Sequence, residues 1–335
     1  MRTTVLGKTG PAVSAIGLGC MGMSEFYGPT DHAESLDTLR RALDLGVTFL
    51  DTSDAYGIGA NEQLLGEFLA GARRADLVLA TKFGVVRDPE TRRPRGVRGD
   101  AAYVREACEA SLRRLGTDYV DLFYLHVPDP RTPIEDTVAA MAALVAAGKV
   151  RHVGLSNITA DQLRAAVAVH PVAAVQNEWS LFSRDAEKSM VPACAELGVG
   201  FVPYAPLGRG LLTGVYTSTD GLAADDYRRA VPRFNSENAG HNAGLLGPIR
   251  QVAAARGATM GQVALAWLVR QSQDRGLAVV PIPGTRKPAR LEENARSLDL
   301  GLTTADLAAL EPLAEQVAGA GAPPIPAEIA RLRAV

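Results

Sequence analysis

The chain is predicted to fold as an α/β protein, a (β/α)8 TIM barrel with an N-terminal β-hairpin and a long loop after strand 7. Three observations carry this. Eight short runs rich in Val, Ile, Leu and Phe are each followed by a stretch of helical periodicity, at a pitch of roughly 40 residues. The 335 residues are enough for one such barrel, which fills about 250 residues or more. Several of the runs end in a polar side chain, as barrel strands do when their C-terminal tips line a site. A doubly wound open sheet is the competing architecture. Against it, Gly17-Leu18-Gly19-Cys20-Met21-Gly22 lacks the downstream acidic residue and helix start that a dinucleotide fingerprint needs.

In chain order, residues 3–14 alternate apolar and polar side chains about Gly10-Pro11 and read as a hairpin. Strands are expected at 15–20, 48–52, 77–82, 120–126, 152–156, 172–176, 199–204 and 278–282. Helices are expected at 33–45, 60–70, 100–115, 134–147, 160–170, 188–197, 244–257, 260–271 and 290–297. The segment 208–240 is polar, Gly-rich and without apolar period, which marks a lid or a disordered loop. Residues 318–326 are a Gly/Ala/Pro-rich departure, followed by a short possible helix. The whole reads as one domain, 1–335, with the barrel at about 15–315 and a C-terminal tail at 316–335.

Composition narrows the function. With 47% hydrophobic and 21% charged residues and a net charge of -2, the chain has neither the basic field of a nucleic-acid binder nor strong acidity, which leaves small ligands. Cys20, Cys108 and Cys194 form no C-x-x-C pair and are odd in number, so no disulfide framework or zinc site is expected and a reducing, cytoplasmic setting fits. Cys20 has no adjoining His or basic cluster and reads as core rather than nucleophile. No apolar run reaches about 18 residues, so no membrane span is expected.

The chemistry is expected at the strand tips. Val47-Thr48-Phe49-Leu50-Asp51-Thr52-Ser53-Asp54-Ala55-Tyr56 runs from a buried strand straight into a polar cluster. Alternation puts Val47, Phe49 and Asp51 on one face, with Tyr56 a short loop later. Lys82 shares a face with Val78 and Ala80, and His126 with Leu122 and Tyr124. Taken singly, each is an ordinary rim or structural residue. Together, an acid, a phenol, an amine and an imidazole at three nearly consecutive strand ends form a proton-transfer site. Lys82 would pair with Asp51, and its charge would favour phenolate and lower the Tyr56 pKa from about 10. A neutral His126 would hydrogen-bond the same substrate oxygen. This suits protonation of a carbonyl oxygen during hydride delivery.

Those residues lie in motifs that resemble the aldo-keto reductases over about residues 3–315. They are Gly17-Leu18-Gly19-Cys20-Met21-Gly22-Met23, Leu50-Asp51-Thr52-Ser53-Asp54-Ala55-Tyr56-Gly57, Ala80-Thr81-Lys82-Phe83, Tyr124-Leu125-His126, Gly154-Leu155-Ser156-Asn157 and Gln176-Asn177-Glu178. Pro206-Leu207-Gly208-Arg209-Gly210-Leu211-Leu212-Thr213-Gly214, Pro283-Gly284-Thr285-Arg286 and Leu291-Glu292-Glu293-Asn294 complete the set. The resemblance implies a catalytic tetrad of Asp51, Tyr56, Lys82 and His126, with Tyr56 as general acid. It implies that Ser156, Asn157 and Gln176 hold a nicotinamide carboxamide, that the ring stacks on Tyr204, and that Leu207, Gly208, Arg209 and Gly210 begin a loop over the pyrophosphate. Gly284 and Thr285 open a helix, where free N–H groups favour an anion. The resemblance sets Arg286, Lys287 and Arg290 at an adenosine 2′-phosphate and Glu293 and Asn294 on the adenine, although each of the three basic residues also reads as a solvated helix start. NADPH is therefore expected over NADH.

Many similar sequences carry Arg after the catalytic His, where this chain has His126-Val127-Pro128, and Tyr where it has Trp179. Both positions bear on the substrate. Met21, Met23, Phe26, Tyr27, Phe83 and Trp179 are candidates for the apolar pocket wall, or for ordinary packing. The expected activity is NADPH-dependent reduction of an aldehyde or ketone, with a small-molecule carbonyl substrate and no metal. A nucleotide-bound regulatory subunit with slow turnover is the alternative, and the same residues serve alcohol oxidation equally well.

Overall fold

The computed structural model describes residues 1–322. Strands β1 (Thr3–Val5) and β2 (Ala12–Ser14) pair antiparallel, Thr3 opposite Ser14, as the alternation predicts. Leu6 and Val13 of this hairpin are buried in one cluster with Phe49, Ala80, Leu122 and Val202, so the hairpin plugs the barrel interior.

The barrel elements follow: β3 (Leu18–Gly19), α1 (His32–Asp44), β4 (Phe49–Asp51), α2 (Ala60–Ala70) and β5 (Val78–Phe83). After β5 the chain forms an antiparallel pair, β6 (Val85–Arg87) and β7 (Pro94–Val97), which the periodicity did not reveal. Then come α3 (Ala101–Leu115), β8 (Val120–Leu125), α4 (Ile134–Ala146), β9 (Val150–Ser156), α5 (Ala160–Val169), β10 (Val172–Glu178), α6 (Met190–Leu197) and β11 (Gly200–Tyr204). Polar caps start some of the helices: Asp31 and Asp100 accept backbone N–H groups of α1 and α3, and Thr159 forms a capping box on α5.

Seven strands hydrogen-bond in parallel in the order β11-β10-β9-β8-β5-β4-β3. Residues 278–284 occupy the eighth position: Phe201 N–H donates to Ala278 O and Val280 N–H to Phe201 O on one side, while Gly17 and Gly19 N–H groups donate to Pro281 and Pro283 carbonyls on the other. The expected eighth strand is therefore present as isolated bridges rather than a regular ladder. The cause is Pro281 and Pro283, which have no N–H to return. The first strand is also shorter than expected, ending at Gly19.

Phe49, Ala80, Leu122 and Tyr124 fill the interior, and a larger cluster lies between strands and helices. Val47, expected to share the inner face with Phe49, precedes β4 and packs in that outer layer. The segment 208–240 is built from short 3-10 turns at Gly208–Thr213, Tyr227–Ala230 and Pro232–Phe234. It leads into α7 (Ala239–Gly244), α8 (Gly247–Arg256), α9 (Met260–Arg275) and α10 (Pro288–Arg296). Two short helices not anticipated, α11 (Thr304–Leu310) and α12 (Leu313–Gln316), follow. The helix expected beyond Pro326 lies outside the described residues. Among those described, no single helix is long and apolar enough to cross a membrane.

Candidate active site

Alternation on β4, β5 and β8 places the site. Asp51 ends β4, Lys82 is one residue from the end of β5, and His126 follows the last residue of β8. Tyr56 opens a 3-10 turn. All four come together. The Lys82 ammonium donates to Asp51 Oδ1, to Thr52 O at 2.9 Å and toward Tyr56 Oη at 3.3 Å. Gln176 Nε2 donates to the other Asp51 oxygen at 2.8 Å. Both carboxylate oxygens thus accept from donors, which is the arrangement of an ionised acid beside an ammonium. The His126 ring meets the Tyr56 ring edge-on at 5.8 Å.

Burial sets the electrostatics. It pulls the Lys82 ammonium down, but Asp51 and Tyr56 outweigh it and hold it above the usual lysine range. Burial pushes the Asp51 carboxyl up against Lys82 and Gln176. It also pushes Tyr56 up, and Lys82 only partly offsets this. The expectation that Lys82 would lower the Tyr56 pKa is thereby corrected: desolvation of a buried phenolate exceeds the attraction of one ammonium that Asp51 already neutralises. His126 is pushed down to about 3, by burial first and by Lys82 second. Its imidazole is neutral at ordinary pH.

Residues outside the expected set hold this group. Asn61 on α2 accepts from Thr52 Oγ1 at 2.5 Å and donates to Cys20 O at 2.9 Å, tying the turn to β4. Beside it, buried Glu62 accepts from Thr81 Oγ1 and Arg114 Nε, both at 2.6 Å. Tyr124, beneath the ion pair, has room only because residue 154 is glycine. A methyl there would sit 2.5 Å from two ring carbons. Cys20 is buried and its thiol is pushed far up by desolvation, as a core residue.

Hydrogen-bonded polar side chains continue from the tetrad along β9, β10 and β11. Asn157 Nδ2 donates to His126 O and to Ser156 Oγ at 3.0 Å each, and Tyr204 Oη donates to Asn157 Oδ1 at 3.0 Å. Ser156, Asn157, Gln176 and Tyr204 are therefore one wall. Beyond it, Gly208, Arg209 and Gly210, after Leu207, all have positive φ. Gly210 is required, since a Cβ would lie 2.7 Å from the Tyr216 ring. Arg228 lies 4.0 Å over that ring and Arg290 5.8 Å from it, so two guanidinium groups flank one aromatic beside the turn. Tyr216 and Arg228 were hidden in a segment whose pattern carries no period. Arg228 is already held by Asp226 at 2.7 Å; a stacking ring, amide groups, a turn of successive positive-φ residues and the Arg290 guanidinium fit a dinucleotide.

Thr285 Oγ1 accepts Lys287 N–H at 3.1 Å in the turn that opens α10. Glu293 accepts from Thr259 Oγ1 at 2.6 Å, and Asn294 is buried on the same helix. Arg209 pairs with Glu178 at 3.2 Å. Arg286 departs from expectation: its guanidinium donates to the carbonyls of Gly22 and Tyr27, at 3.1 and 3.0 Å, and so fastens the 22–28 loop to the barrel.

The pocket wall also needs correction. Phe83 is buried in the outer layer, stacked on Phe123 at 4.7 Å, because Lys82 next to it takes the inner face. Trp179 packs between Phe201 and Trp267 and donates to Glu187, also outside the barrel interior. Met23 is buried in that same layer. Met21, Phe26 and Tyr27 remain half-buried, with Phe26 edge-on to Tyr227 at 5.5 Å.

This arrangement of strands and tips has counterparts. A glycerol dehydrogenase from Gluconobacter oxydans is 28% identical, with 97% of this chain and 98% of that one covered at a TM-score of 0.84. A thermostable aldo-keto reductase solved with the inhibitor epalrestat is likewise 28% identical, with 93% and 100% covered at a TM-score of 0.73. The model of the aldo/keto reductase family matches residues 15–315, which takes in every strand that carries a site residue. The chain therefore belongs to the aldo/keto reductase family, oxidoreductases that act on carbonyl compounds with nicotinamide cofactors.

Proposed function

We propose that this protein is a cytoplasmic NADPH-dependent reductase that converts a small aldehyde or ketone to the alcohol, with Tyr56 as general acid. The observation that carries the reading is Lys82, held by Asp51 and directed at the Tyr56 oxygen from 3.3 Å. Burial keeps the phenol protonated, which is the state a proton donor needs. As Tyr56 gives its proton to the carbonyl oxygen, the ammonium stabilises the phenolate that forms. Neutral His126 can orient the same oxygen by a hydrogen bond. The reduced nicotinamide, when bound, supplies the hydride. Ser156, Asn157 and Gln176 would hold its carboxamide and Tyr204 its ring face, while three free, buried cysteines fit a reducing compartment.

NADPH and NADH binding, read by quenching of intrinsic fluorescence, tests this. Loss of reduced-nicotinamide absorbance with a panel of aldehydes and ketones follows. Preferential NADPH binding with turnover supports the proposal; binding without turnover on any carbonyl returns weight to a regulatory subunit. Preference for the 2′-phosphate is assigned to Arg290, since Arg286 is engaged elsewhere. Arg290→Ala is expected to weaken NADPH about 10- to 100-fold, the loss of a charge-assisted phosphate contact, and to leave NADH within about twofold. Equal weakening of both nucleotides in fluorescence titrations would remove Arg290 from that role.

A further inference from the structure

A neutral imidazole carries one ring proton, and its position decides whether the ring donates to or accepts from a substrate oxygen. In His126, Nδ1 lies 3.2 Å from Ser53 Oγ. That leaves Nε2 for the substrate. We infer that Ser53 is a positioning residue that fixes the His126 tautomer: its hydroxyl donates to Nδ1, so the ring proton sits on Nε2 and is offered to the carbonyl oxygen. The inference rests on the carbonyl-reductase reading above.

The surroundings of Ser53 support this direction. The side chain is fully buried, so its hydroxyl proton must find a protein acceptor. Ala55 N–H donates to Ser53 Oγ at 3.1 Å and uses one of its lone pairs. Three acceptors compete for the hydroxyl proton: His126 Nδ1 at 3.2 Å, Lys82 O at 3.3 Å and Asp54 Oδ1 at 3.3 Å. Lys82 O already receives Asp54 N–H at 3.1 Å. Burial and neighbouring Glu62 push the Asp54 carboxyl up to about 8, so below that pH it is a neutral and weaker acceptor. Imidazole nitrogen is left as the strongest of the three.

Asp54 also makes the device reversible. Glu62 from α2, Tyr103, Glu106 and Arg114 from α3, and Arg87 from β6 face it. Arg114 is engaged by Glu62 and Arg87 by Glu25, at 2.6 and 2.5 Å. A cavity of about 210 Å³ bordered by Asp54 gives it a route for proton exchange. Once ionised, Asp54 takes the Ser53 hydroxyl proton as a hydrogen bond. Ser53 Oγ then accepts from Nδ1–H, and Nε2 becomes an acceptor. The donor tautomer therefore fades as pH rises through about 8.

Nitrogen-15 spectra of histidine-labelled protein, with and without NADP+, test this without any turnover. His126 is assigned among the five histidines by comparison with His126→Gln. The expected result at pH 7 is a protonated Nε2 and a bare Nδ1, reverting to mixed tautomers in Ser53→Ala. A protonated Nδ1 in the wild type at pH 7 overturns the inference whether or not the protein reduces carbonyls. If it does reduce them, Ser53→Ala should lower kcat about tenfold, with KM and NADPH affinity within about twofold, as loss of one orienting hydrogen bond predicts. Ser53→Thr, which keeps the hydroxyl, should restore the Nε2 proton. In Asp54→Asn the Nε2 proton should persist from pH 7 to 9; a switch near pH 8 that survives this substitution overturns the part assigned to Asp54.

Discussion

Tyr56→Phe should bind a reduced nicotinamide cofactor with undiminished affinity and lose about 100-fold to 10,000-fold in kcat, the range for removal of the general acid proposed for this site. The substitution deletes only the hydroxyl, and the ring keeps its edge-on contact with His126. Lys82 would retain Asp51 and Thr52 O as acceptors, so the fold should be little affected. Binding is read by fluorescence and turnover by cofactor absorbance in the same samples. Unchanged turnover would show that the proton comes from elsewhere, and simultaneous loss of binding would show that the change had damaged the site.

Lys82→Met is expected to cost roughly 3–5 kcal/mol of stability as well as activity, because it leaves a buried carboxylate without its cation. Asp51 would keep only the Gln176 amide. Adding Asp51→Asn should recover most of the loss, since a neutral amide beside Met has far less to desolvate. The Lys82 pKa is raised on folding, so its share of the stability is fully present below the unfolded lysine value, about 10.4, and fades only as pH rises through the still higher folded one. Urea unfolding near pH 7 therefore reads the whole effect. Full stability in Lys82→Met would mean that Asp51 is protonated in the wild type and the pair is not ionic.

How much of this was legible depended on whether neighbouring residues share a backbone rule. Asp51 and Lys82 share strand faces with Phe49 and Ala80, which line the interior, and they meet as an ion pair, while His126 continues the alternation of Leu122 and Tyr124 one residue past β8. The same rule excludes Phe83 from the pocket once Lys82 is known to point inward, and its aromatic character was the misleading signal. Trp179, one residue past its strand, keeps the parity of Val175 and shares its outer layer, so the same alternation excludes it too. Tyr216 and Arg228 meet across a non-repetitive segment, and Arg114 reaches Glu62 from another helix. Such long-range meetings leave no local period to read. The direction of the Tyr56 shift was missed for a related reason. Charge is visible in a sequence, whereas the extent of desolvation is a property of the packed molecule.

Pro281 and Pro283 thin the joint between the first and last strands: β3 donates to them through Gly17 and Gly19, and neither proline has an N–H to donate back. Elsewhere adjacent strands exchange hydrogen bonds in both directions, so transient opening of the barrel should begin at this joint. It leads directly into Gly284, which bridges to Gly19, and into the turn that opens α10. A nucleotide gripped there would span the opening like a clasp. Slower deuterium uptake at Gly17 and Gly19 on adding NADP+ would register that clasp, so the ligand would steady the barrel as well as serve its chemistry.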